Sequence, residues 1–132
     1  MAAQPWRVLW HPFFFLPERW NGMDEVLLLL SRHLDRSRFE LLVLGHESDG
    51  PQTATLAARA GLHLIPAPYS AGASAPSRLR ALRSLYRAEG IDLLHFHSPA
   101  AGGQLIPALA ARLAGVRANI ATYHQVQPWL LP

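Results

Sequence analysis

This 132-residue sequence predicts an α/β fold: a Rossmann-like, doubly wound parallel sheet of about five strands with helices on both faces. Two observations carry the prediction. Strand-like and helix-like stretches alternate from end to end, and the helices are long enough for crossovers between parallel strands. Four strand-like stretches, 6–10, 39–44, 93–96 and 119–123, are followed at once or after one glycine by a histidine: His11, His46, His97 and His124. In such a sheet all strand C-termini lie on one edge and ligands bind outside it. Histidines remote in sequence are thereby expected at one crevice, between the first and fourth strands.

The elements follow in order. After the first strand comes a proline-broken loop, then Asn21-Gly22-Met23-Asp24, a cap residue with a carboxylate three positions on, which predicts a helix start. The helix continues over 26–34 and is apolar nearly all round, so it is expected to be buried on more than one side. Residues 36–38 turn into the second strand. Gly50-Pro51 opens a short alanine-rich helix that Gly61 ends, and 62–65 is the third strand. Leu79, Leu82, Leu85 and Tyr86 form the buried stripe of the next helix, which Gly90 stops. After the fourth strand, Ser98-Pro99 offers a cap followed by proline at the first helical position, and that helix runs to about Leu113 before Gly115. The fifth strand is 119–123, and 125–132 has no element to join, so the chain is expected to stop early within a larger architecture.

Half the residues are hydrophobic and 16% are charged, a globular composition for a single domain spanning 1–132. With no cysteine, disulfides and thiolate-held metals are ruled out, and the compartment leans cytosolic. No apolar run reaches membrane-spanning length. The pI of 10.2 overstates the basicity, since the net charge is only +3 and all twelve basic residues are arginine. Arg78, Arg80, Arg83 and Arg87 share one predicted helix and are expected to form a solvated face. Nucleic acid is not an expected partner, because no basic patch interleaved with aromatics occurs.

Three stretches carry candidate chemistry. The loop 11–23 is long for a strand-to-helix connection and ends at Asn21-Gly22, where a backbone without a side chain meets a helix N-terminus, a geometry suited to a phosphate or sugar. In Ile91-Asp92-Leu93-Leu94-His95-Phe96-His97-Ser98, alternation sends both imidazoles to one face. His95 is expected as a hydrogen-bonded core histidine, and His97 as a ligand-facing one at the strand end. His124 follows the fifth strand, where an imidazole orients a hydroxyl or steadies a phosphate. Zinc held by His11, His97 and His124 is disfavoured, for want of a helical histidine pair, a cysteine or a carboxylate at ligand spacing. Phe13, Phe14, Phe15 and Trp20 make the first loop apolar, which fits packing on a second domain or peripheral contact with a membrane.

NGMDEVLLLLSRHLDRSRFELLVLG, GIDLLHFHSPAAGGQLIPALAARLAGV and IATYHQ, taken in that order, resemble the N-terminal domain of family 4 glycosyltransferases of the GT-B fold. The resemblance implies an acceptor-binding half that transfers sugar from a nucleotide-sugar donor to a glycan or lipid-linked acceptor with retention, without metal or other cofactor. It implies Asn21 and Gly22 near the donor phosphates, His124 beside the donor sugar as the catalytic residue, and His97 and Ser98, with His11, on the acceptor side. A C-terminal donor-binding domain, in cis or in trans, is the implied partner. The expected location is cytoplasmic, with peripheral contact at the inner membrane face left open. Asn21 stands where the family has its first glycine and Asp24 where it has glutamate. The second domain, with its basic pair and E-x7-E carboxylates, is missing, so the expectation is a fragment, a truncated frame or one subunit of a split enzyme. The alternative is a non-catalytic Rossmann-like interaction module.

Overall fold

A computed structural model describes residues 4–11, 22–45, 54–55, 57–58, 60–98 and 105–123. The described elements are β1 (Trp6–His11), α1 (Gly22–His33), β2 (Phe39–Gly45), β3 (His63–Pro66), α2 (Ala75–Ala88), β4 (Leu93–Ser98), α3 (Leu105–Ala114) and β5 (Ala118–Tyr123). Helical backbone also occurs at 54–55 and 57–58, within the alanine-rich stretch expected to be helical. The five strands form one sheet in the order β3-β2-β1-β4-β5, and every pairing is parallel. The order reverses between β1 and β4, the switch point where a crevice was expected.

Strand alternation divides the core in two. Leu9, Leu42, Leu44, Leu94 and Phe96 project to the face covered by α2 and α3, where they meet Leu82, Tyr86, Ala110 and Ala111. Val8, Trp10, Leu41 and Val43 project to the other face and meet Leu27 of α1. Both faces are therefore covered, which is why the central strands carry apolar residues on both sides. α1 is less enclosed than its all-round apolar sequence implies: Leu27 is buried, while Val26, Leu29 and Leu30 are exposed.

Local signals place most boundaries within a residue or two. Ser74 caps α2, its side chain accepting a hydrogen bond from the Ser77 backbone N–H at 3.4 Å. Gly90 and Gly115 take φ of +58° and +85° just beyond α2 and α3, a left-handed geometry that a side chain disfavours. β4 runs two residues past its expected end because β5 pairs alongside it as far as Ser98↔Tyr123. Ser98, expected as a helix cap, is thus the last residue of a strand, and 99–104 lie outside the described residues.

The N-terminal edge of the sheet is tied together by charge. The Arg7 guanidinium reaches Glu40 at 3.1 Å and the Glu89 carboxylate at 3.3 Å, and donates to the Glu89 backbone carbonyl. Asp92 accepts from the Arg7 backbone N–H at 3.0 Å and pairs with Arg117 at 3.4 Å. One arginine and one aspartate so link β1, β2, β4, β5 and the end of α2.

Candidate functional site

The C-terminal ends of β1 and β4 set the site. Their register pairs Trp10 with His95 and His11 with Phe96. Residues paired across parallel strands share a face, so Trp10, His95 and His97 lie on the α1 side and His11 lies with Phe96 on the α2/α3 side. On the α1 side, the Trp10 indole stacks on the His97 ring at 3.6 Å and 15°. His95 completes the cluster, 4.4 Å from His97 and 4.9 Å from Trp10 between ring centroids. Its Nε2 lies 2.9 Å from Thr122 Oγ1 on β5, which makes it the hydrogen-bonded histidine expected.

On the opposite face, the His11 ring lies 4.9 Å from Phe96, and its Nδ1 is 3.5 Å from the Tyr86 hydroxyl of α2. Burial, reinforced by neighbouring Tyr69, pushes the Tyr86 phenol well above its usual range, so it keeps its proton. A neutral phenol donates to Nδ1 or accepts from it, so this long contact joins α2 to the end of β1 without setting the His11 tautomer.

The raised phenol has a consequence for stability. Below about pH 10 the phenol is neutral in both folded and unfolded chains, and its stabilising contribution is fully present. Above that, the unfolded chain ionises and the folded one does not, so stability falls by up to about 1.4 kcal/mol per pH unit. Urea denaturation at about pH 9 and about pH 11 is expected to show this loss in the native sequence and a flatter profile in Tyr86→Phe. An equal loss in the variant would remove Tyr86 as its source.

Among the expected site residues, Gly22 opens α1, which follows β1 and so begins on the C-terminal side of the sheet. His11, His97 and Ser98 end β1 and β4 on that same edge. His11 and His97 are nearly buried, at 6% and 2% exposure, and on opposite faces. Asn21, His124, Phe13, Phe14, Phe15 and Trp20 lie outside the described residues. Two contacts went unforeseen from sequence: Tyr86 beside His11, and the Trp10 stack on His97. A signal for the second exists, since Trp10 and His97 stand at the ends of the two strands that border the switch point.

The arginines of α2 behave largely as a solvated face, with Arg80, Arg83 and Arg87 exposed. Arg78 lies over the Tyr69 ring at 5.3 Å, and Arg87 donates to the Leu113 carbonyl of α3 at 3.1 Å. Two pockets among the described residues, of about 360 and 380 Å³, open at the other edge of the sheet, around Arg7 and Trp6. They flank the ion-paired edge rather than the histidines. Among the described residues no helix is long and apolar enough to cross a membrane.

A Rossmann-like sheet with a helix start and two histidine-bearing strand ends on one side of its switch point is the architecture the sequence led one to expect. The chain belongs to glycosyltransferase family 4, whose sequence model matches residues 20–131. Gly22, His97, Ser98 and His124 fall inside that match, and His11 falls before it. A crystal structure of a glycosyltransferase from Rickettsia africae ESF-5 superposes with a TM-score of 0.61 at 15% identity. The superposition covers 95% of this chain and 31% of that one, so the likeness is one of fold, and the chain spans about a third of that protein's length. Comparison with curated proteins gives no match.

Proposed function

We propose that the chain is the acceptor-side half of a retaining glycosyltransferase, acting with a nucleotide-sugar-binding domain in cis or in trans. The observation that carries this reading is the shared edge: the start of α1 at Gly22 and the ends of β1 and β4 lie on one side of a family 4 domain's sheet. In the reaction, the bond from the sugar's anomeric carbon to the donor phosphate breaks. The diphosphate leaves with the electron pair, and the acceptor oxygen bonds the same face of the sugar and gives its proton to the departing diphosphate oxygen. Backbone N–H groups at the start of α1, with Asn21 and Gly22, suit the departing diphosphate. His124 is assigned to the donor sugar, and His11, His97 and Ser98 to the acceptor. No metal or other cofactor enters this scheme. The apolar first loop, Phe13 to Phe15 with Trp20, suits a second domain or a lipid-linked acceptor at the inner face of a cytoplasmic membrane.

Amide-shift mapping tests this on the chain joined to a donor-binding domain, with UDP-glucose and GDP-mannose as probes. Shifts are expected at Gly22 and Tyr123, beside the donor. Shifts gathered at Arg7, Arg87 and Arg117 instead, or silence at Gly22 and Tyr123 while the donor-binding domain responds, would overturn the reading.

A second reading, a non-catalytic interaction module, draws support from an exposed apolar row. Leu105, Leu109 and Leu113 of α3 and Ile120 and Tyr123 of the edge strand β5 are all exposed. It predicts self-association in light scattering, with no response to nucleotide sugars.

A further inference from the structure

We propose that His95 and Thr122 form a cross-strand latch that fixes the C-terminal end of β5, making His95 a positioning residue for the chain that follows Tyr123. The functional half of this inference rests on the sugar-transfer reading, because His124 comes two residues after Thr122.

β5 needs such a device. It is the sheet's edge strand, hydrogen-bonded to β4 alone, and Asn119, Ile120, Ala121 and Tyr123 are exposed. Strand ends with one neighbour and little burial open most readily. In the backbone register His95 stands opposite Ile120, so Thr122 is its diagonal neighbour. A diagonal pair is within reach only of a long side chain. The imidazole spans that gap with Nε2 at 2.9 Å from the Thr122 hydroxyl.

The aim of the ring is itself set. His95 lies tilted to Trp10, at 59° between planes, and to His97, at 47°, while Trp10 is 1% exposed in the core below α1. Trp10, His97, His95 and Thr122 thus make a continuous line from the central strand β1 through β4 to the sheet's edge. Order in the core is passed to a strand end with little burial of its own.

The test is a set of four variants of the intact chain, read by amide hydrogen exchange and by the His124 ring resonances. Thr122→Val keeps the shape and removes the hydroxyl, and Thr122→Ser keeps the hydroxyl. His95→Leu removes the ring nitrogen, and His95→Gln returns a polar group near the position of Nε2. Exchange at Thr122 and Tyr123 is expected to quicken about five-fold in Thr122→Val and His95→Leu, the equivalent of one net hydrogen bond. It is expected to return close to the native rate in Thr122→Ser and His95→Gln, while exchange at Leu94 stays unchanged in Thr122→Val. The His124 resonances should move in Thr122→Val and recover in Thr122→Ser. Unaltered exchange in Thr122→Val, or equal effects of valine and serine, would overturn the latch. None of these readouts needs transfer to occur. A latch that behaves as described, in a joined protein whose Gly22 and Tyr123 ignore a bound nucleotide sugar, therefore removes the sugar-transfer reading and not the latch.

Discussion

Replacing Trp10 with alanine is expected to cost about 3–5 kcal/mol of folding stability, the range for deleting a large buried aromatic. Trp10 is 1% exposed and packs with Val8, Leu27, Leu41 and Val43 on the α1 face. Its indole also carries the His97 ring at 3.6 Å. The substitution therefore opens a cavity and leaves an imidazole without its stacking surface. Set against a total stability of about 5–15 kcal/mol for a domain, the loss is a large fraction of the whole. Equilibrium urea denaturation should show a sharply lower midpoint, and Trp10→Phe should recover part of it. A loss under about 1 kcal/mol would mean that the α1 face is not the packed core described, since such losses belong to surface sites.

His124→Ala carries the largest expected effect on function. In an enzyme assembled with its donor-binding domain, turnover is expected to fall about 100-fold or more, the scale of losing a positioned acid–base or electrostatic group. Stability should change far less, by under about 1 kcal/mol. The expectation rests on the Thr122-x-His124 sequence inside the family match. Measuring kcat and the melting temperature together separates the two effects. Native turnover in a folded variant would take His124 out of the mechanism.

The fold was largely legible, for a physical reason. Central strands of a parallel sheet are buried on both faces, so 39–44 and 91–96 stand out as mostly apolar stretches between turn signals, and glycines such as Gly90 mark where helices must stop. Right-handed crossovers then leave few strand orders, and the crevice between the first and fourth strands follows. What did not follow was the face on which each crevice residue sits. That depends on register, and a slip of one residue exchanges the two faces. Trp10↔His95 pairing separates His11 from His97, although both were expected at one crevice and both do end strands on the same edge. The contact between His11 and Tyr86, 75 residues apart, comes from the way α2 packs across the sheet, which no local pattern encodes. β4 outran its expected end for a similar reason, since its last residues are held by β5 and not by their own sequence.

The ion-paired underside built on Arg7 and Asp92 bears on how such a domain diversifies. It clamps four strands from below, remote from the histidine-bearing ends and from the connections above them. Insertions and replacements in those upper connections should therefore be tolerated while the β-layer keeps its twist and spacing. For protein engineers, that makes the top loops the natural place to graft new recognition segments, and Arg7 and Asp92 the pair to leave alone.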